Sequence, residues 1–186
     1  MALTTLDAET ALILIDLQKG IVSRTTAHPI AEIVKHAREL ADAFRSHDLP
    51  VVLVNVAGGA PGRTEQPRGG GDFPAGWTDL VPELNRQPQD HTVTKRTWGA
   101  FTNTGLEQHL KSLGVTQVVM AGVSTSVGVE STAREAYAMG FNVTLATDAM
   151  TDMNPDAHHN SIARIFPKLG ETGTTQEIID LLKKGH

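Results

Sequence analysis

The 186-residue sequence predicts an α/β fold, a three-layer doubly wound sheet that is mostly parallel, and three observations carry that expectation. Short apolar runs recur without polar alternation, as strands buried on both faces require. Longer amphipathic segments separate them. The length suits one domain spanning residues 1–186, and a chain of this size buries roughly 70% of its extended surface without staples.

The strands are expected at Ala11–Ile15, Val51–Val54, Val118–Ala121 and Val143–Ala146, with a shorter one at Thr92–Thr94. Between them, Pro29 to Phe44 places Ile30, Ile33, Val34, Ala37, Leu40, Ala41 and Phe44 at helical spacing. Thr104-Gly-Leu-Glu107 reads as a capping box opening a helix that Gly114 stops. Further helices are expected over Ser126–Met139, Asp156–Phe166 (stopped by Pro167) and Thr175–Leu182. Ala57 to Gly76 breaks the pattern, with seven Gly and three Pro in 20 residues. Because it follows a strand's carboxyl end, it reads as a lid loop.

Composition excludes several chemistries. There is no cysteine, so no thiolate nucleophile, disulfide or Cys-ligated metal. Lys and Arg number 16 against 21 Asp and Glu, a formal charge of −5 with no basic stripe, so no nucleic-acid partner is expected. The longest apolar stretch, Ala11–Ile15, is far below a membrane span, and the first residues lack a signal-peptide pattern. A cytoplasmic protein with no membrane partner is the expectation.

Ligands of open parallel sheets bind beyond the strands' carboxyl ends, near a topological switch point. The polar residues just past the runs are Asp16, Gln18, Asn55, Lys95, Arg96, Ser124 to Ser126, and Asp148. Asp16 needs a partner if buried, and Lys95 is a candidate. The alternative for Asp16 is a purely structural ion pair or turn cap. Gly122-Val-Ser-Thr-Ser-Val-Gly128 is a strand end and helix start, suited either to an oxyanion or merely to close packing.

Three blocks in order then resemble the isochorismatase-like hydrolases, which include nicotinamidases, carbamoylases and true isochorismatases. They are Leu12-Ile-Leu-Ile-Asp16-Leu-Gln18, Thr94-Lys95-Arg-Thr-Trp-Gly-Ala-Phe101-Thr102-Asn-Thr104, and Gly122-Val-Ser-Thr125-Ser-Val-Gly128-Val-Glu-Ser-Thr132-Ala133-Arg-Glu-Ala136 with Asp148-Ala149 beyond. The resemblance covers nearly the whole chain. It implies a catalytic trio of Asp, Lys and Cys, and here Asp16 and Lys95 match while Gly128 stands at the Cys position. The covalent thiolate route is therefore closed.

True isochorismatases are similar in carrying Gly there, which implies a non-covalent mechanism. Asp16, protonated, would deliver a proton to a vinyl-ether methylene, and water would trap the oxocarbenium-like product. Lys95 would orient Asp16 and hold a substrate carboxylate. The same resemblance implies substrate contacts from Gln18, Arg96, Trp98, Phe101, Val123, Ser124 and Thr125, a cis peptide at Val123–Ser124, a small-molecule substrate, and a homodimer or homotetramer. Metal-dependent nicotinamidases of the family use an Asp and two His after the second strand, and this chain has no His between His47 and His91, so no cofactor or metal is expected. A neighbouring ammonium lowers an Asp pKa, whereas a general acid needs it raised, so the acid is expected to form when substrate carboxylates arrive.

The chain also departs from true isochorismatases. Val123-Ser-Thr-Ser126 is closer to the cysteine hydrolases, Arg96-Thr-Trp98 replaces Trp-Arg-Tyr, and Gly99 replaces Ser. The alternative is thus a relative of amide or C–N hydrolases, disarmed at position 128 and acting as a non-catalytic binder of small ligands.

Other readings are weaker. A serine hydrolase would use Ser124 with Asp148 and His158 or His159, but Ser126 breaks the Gly-x-Ser-x-Gly elbow. His158 and His159 diverge by about 100° on a helix and do not clamp one ion. Gly69-Gly-Gly71 lacks the context of a phosphate loop. Arg63, Arg68 and Arg96 are candidates for a substrate carboxylate, and Trp77, Trp98 and Phe101 for a wall against a cyclic one.

Overall fold

The computed structural model describes residues 3–66 and 73–185. In chain order the elements are β1 (Thr10–Ile15), α1 (Lys19–Val22), α2 (Ile30–Ser46), β2 (Val51–Val56), a 3₁₀ turn (Pro82–Leu84) and β3 (His91–Lys95). Then come α3 (Leu106–Ser112), β4 (Gln117–Val123), a π turn (Thr125–Val129), α4 (Glu130–Ala138) and β5 (Asn142–Thr151). The chain closes with α5 (Pro155–Asn160), a second π turn (Ser161–Ile165), α6 (Phe166–Leu169), β6 (Glu171–Gly173) and α7 (Thr175–Gly185).

The six strands form one sheet in the order β3-β2-β1-β4-β5-β6, every neighbouring pair parallel. The order reverses between β1 and β4, so the switch point lies at the carboxyl ends of these two strands. β1 is buried along its whole length, as its unbroken apolar run requires. Ile13, Ile15, Val54, Met120 and Leu145 face a core shared with Leu106, Leu110, Ala133 and Phe166. Leu12, Leu14, Leu53 and Val119 face the other core, which includes Leu40 and Phe44 of α2 and Leu182 of α7. Each such aliphatic side chain contributes about 1.5–3 kcal/mol by leaving water. β3 at the edge alternates buried Val93 and Lys95 with exposed Thr92 and Thr94.

Several local expectations are corrected. No capping box forms at Thr104: α3 starts after a left-handed Gly105, Thr104 Oγ1 accepts from the Leu106 N–H, and Glu107 pairs with Lys111. Pro167 does not stop its helix. The π turn widens the backbone ahead of it, and Pro167 falls in the first turn of α6, where its missing N–H is not needed. β2, β4 and β5 run past the apolar residues that announced them, so Asn55 and Asp148 lie inside strands. β5 also bulges opposite β4 between Leu145 and Met150. α1, β6 and the 3₁₀ turn had no clear periodic signal. Of the expected 57–76 lid, Arg68 and Gly69–Gly71 lie outside the described residues.

Candidate active site

Asp16 follows β1 at the switch point with a left-handed backbone, φ 54°. Lys95 ends β3 on the same side, and both are almost wholly buried, 6% and 2% exposed. Asp16 Oδ2 and Lys95 Nζ are 2.9 Å apart. The ammonium also donates to the carbonyls of Trp98 at 2.6 Å and Thr97 at 3.3 Å. Its three hydrogens therefore have acceptors. Lys95 orients Asp16 with no donor left for a substrate carboxylate.

The other oxygen, Asp16 Oδ1, is buried with no partner among the described residues. Burial disfavours the carboxylate more than Lys95 favours it, and the Asp16 pKa is raised to about 6. The expectation that Lys95 would hold it low in the free protein is thus reversed. The ammonium pulls down, but desolvation is the larger effect.

The third wall is the turn after β4. Gly122 has φ +126°, and a Cβ there would lie 2.0 Å from the Ile15 carbonyl, so only glycine lets β4 approach β1 at this point. The Val123–Ser124 peptide is cis. The π turn follows, with the N–H groups of Val127 and Val129 both donating to the Ser124 carbonyl. It carries Gly128 directly over the ion pair. A Cβ on Gly128 would lie 3.1 Å from Asp16 Oδ2 and 3.4 Å from Lys95 Nζ. Thr132 Oγ1 donates to the Gly128 carbonyl at 2.7 Å and accepts from the Ala100 N–H at 3.1 Å, which ties the turn to the loop after Lys95.

The remaining expected contacts divide. Gln18 is wholly buried and its amide is used by backbone: Nε2 donates to Val56 O and Trp77 O, and Oε1 accepts from Val56 N–H. It clamps the end of β1 to β2. Phe101 packs in the core against Phe141, ring centroids 5.9 Å apart, so it walls no substrate. Val123 is core on the other face. Thr125 is fully buried against His158, and Ser124 Oγ donates to Met153 Sδ. Arg96 and Trp98 are exposed beside Lys95, with Arg96 Nη1 donating to Ala57 O at 3.0 Å. Trp77 stacks on Phe73 and covers Gly20, and Arg63 is exposed on the loop.

The serine-hydrolase arrangement does not form. Asp148 accepts from the N–H and hydroxyl of Thr175, fixing α7, while His158 bonds Thr125 rather than Ser124. Among the described residues no group of three or more His, Asp or Glu is placed to hold a metal, and no helix is long and apolar enough to cross a membrane.

Sequence reasoning missed Thr132 and Asp152. Asp152 Oδ2 accepts from both the N–H and hydroxyl of Ser126. Thr132 was signalled by its place one helical turn after Gly128, where threonine bonds back to the carbonyl. Asp152 carries no local signal, because it directly follows β5, which runs to Thr151, well past the apolar run that ends at Ala146.

The site is therefore a buried Asp–Lys pair at the switch point of a parallel α/β sheet, faced by a strand-to-helix turn. The isochorismatase domain matches residues 10–177, and the chain belongs to the isochorismatase family. It is 41% identical over 182 residues to an uncharacterized isochorismatase family protein of Bacillus subtilis, YwoC, covering 94% of this chain and 95% of that one. Another such relative, YecD of Escherichia coli O157:H7, is 37% identical over 180 residues, with 93% and 96% covered. An isochorismatase family protein from Burkholderia thailandensis superposes with a TM-score of 0.92 at 38% identity, over 96% of this chain and 98% of that structure.

Proposed function

We propose that the protein is a non-covalent hydrolase of its family, cleaving a vinyl ether of the isochorismate type with Asp16 as the general acid. The observation that supports this most is the pairing of Gly128 with Asp16. The place of a nucleophile is occupied by hydrogen alone, beside a carboxyl whose pKa is raised to about 6. The Asp16 proton goes to the substrate's methylene carbon, which becomes a methyl group, and the ether oxygen shares the positive charge. Water adds to the neighbouring carbon that bears the ether oxygen and loses a proton, and the hemiketal collapses to an alcohol and a 2-keto acid. Lys95 keeps Asp16 in place, the turn from Ser124 to Gly128 lies against the reacting oxygens, and Arg96 at the rim meets a substrate carboxylate.

The test is isochorismate hydrolysis followed by pyruvate release, with Asp16→Asn as matched control. Turnover that is lost in the variant, and that falls as pH rises through about 6, supports the reading. Gly128→Ala is the second arm. Its added Cβ, 3.1 Å from Asp16 Oδ2, crowds the acid and is expected to cut kcat/KM at least about tenfold while changing stability by only about 1 kcal/mol.

The cysteine-hydrolase-like segment Val123-Ser-Thr-Ser126 favours a second reading, a small-ligand binder disarmed at position 128. No turnover by the parent, with amide hydrolysis appearing in Gly128→Cys, would establish that reading and remove the first.

A further inference from the structure

The hydroxyl of Thr125 is fully buried, and its partner among the described residues is Nδ1 of His158, 2.8 Å away. A buried hydroxyl needs an acceptor for its hydrogen. Thr125 therefore donates to Nδ1, and the neutral ring carries its hydrogen on Nε2. Thr125 follows Ser124 of the cis peptide and opens the π turn that holds Gly128 over Asp16. One side chain on α5 thus holds the first residue of the turn that faces the acid.

We propose that His158 is the positioning residue of this turn: its imidazole holds Thr125, and through it the register of Gly128 against Asp16, and a proton on Nδ1 releases that hold. The proposal rests on the reaction given above only for its catalytic consequence.

His158 is surrounded by groups that set its charge. The His28 ring, from the loop between α1 and α2, lies 4.6 Å away between centroids. Asp152 stands at the end of the β5 segment, His159 is its neighbour on α5, and Glu130 of α4 accepts from Ser161 just beyond. Asp152 is already held by Ser126 and by the Asn154 N–H. Burial, then His28, holds His158 below the ordinary imidazole range, while Asp152 opposes and His159 adds to the lowering. The ring is therefore neutral near pH 7. When it gains a proton, Nδ1 becomes a donor aimed at another donor, and the Thr125 hydrogen loses its acceptor in a dry site.

The catalytic consequence is a bell-shaped profile. The alkaline limb belongs to Asp16, which must be protonated, and the acid limb to His158, which must not be. The two limbs are separable because a change at His158 leaves Asp16 in place. In His158→Asn the amide oxygen offers Thr125 an acceptor that does not titrate.

The test has an arm that needs no turnover. In Asp16→Asn protein, where the carboxyl beside Gly128 is gone, the backbone amide resonances of Thr125 and Gly128 are followed from acid to neutral pH. A shared titration that disappears in Asp16→Asn/His158→Asn is expected, and Thr125→Val in the same background is expected to abolish it as well. A titration that survives both changes overturns the proposal. With Asp16 intact, His158→Ala is expected to lower kcat/KM about tenfold, as loss of one buried hydrogen bond implies. His158→Asn should restore most of it and remove the acid limb alone. A loss in His158→Ala confined to thermal stability, with the acid limb unchanged in His158→Asn, would also overturn it. Absence of turnover in every form, with the amide titration present, refutes the proposed reaction and supports the positioning role.

Discussion

Asp16 and Lys95 meet at 2.9 Å, yet the carboxyl beside that ammonium is raised to about 6, well above its ordinary range. The two influences are opposed, and burial is the larger. Since the folded-state pKa lies above the unfolded one, the stability this carboxyl contributes is fully present below the ordinary carboxyl range. It is lost as pH rises through about 6. The site holds its acid by withdrawing it from water, at some cost to the fold near neutral pH.

Removal of Lys95 tests that balance. In Lys95→Met the only lowering influence is gone, so Asp16 should titrate above 6, read as an upward move of the alkaline limb or by carboxyl carbon NMR. Asp16→Asn leaves a buried ammonium without its counter-charge and should cost about 3–5 kcal/mol in chemical denaturation. The double variant should recover most of that loss, because the unpaired charge is then absent.

Gly99 makes room for Glu135. A Cβ at position 99 would lie 2.2 Å from Glu135 Oε2, the oxygen that accepts from the Phe101 N–H at 2.9 Å. Gly99→Ala should therefore displace the Glu135 carboxylate and lower stability by about 1–3 kcal/mol. In Glu135→Ala the clash has nothing to meet, so the same Gly99→Ala change should cost much less. A double-mutant cycle in urea reads the coupling.

Gln18 distinguishes a clamp from a substrate contact. Gln18→Ala leaves the half-buried Val56 N–H without its 2.7 Å partner and frees the chain near Trp77. Thermal stability should fall by about 2–3 kcal/mol, while KM for any substrate changes less than threefold at temperatures where the variant is folded. A large KM effect with unchanged stability would return Gln18 to the substrate-binding set.

The strands were legible because apolar runs buried on both faces need no tertiary partner to be recognised. α2 was legible because its apolar stripe repeats at helical spacing. The ends of elements were less so. Asn55 and Asp148 are polar, and their places depend on neighbouring strands that supply the ladder, which local pattern does not report. Pro167 misled for a related reason: the rule that proline ends a helix assumes a regular turn before it, and here a π turn precedes it.

Within the site, Asp16 and Lys95 could be named from residue type and order, because a carboxylate just past a buried strand demands a partner, while Gly128 was marked only by the resemblance to isochorismatase-like hydrolases that carry a Cys there. What each does was decided by the folded chain. Phe101 went to the core and Gln18 to the backbone, and both choices depend on which atoms arrive from β2 and α4. The sign of the Asp16 shift was likewise settled in three dimensions. The sequence by itself determined a parallel α/β chain with a carboxyl, an ammonium to pair with it and no thiol nucleophile. Only the tertiary structure decided that the acid is held protonated more tightly than in water, because desolvation depends on every wall that closes around Asp16 and not on the residues beside it in the chain.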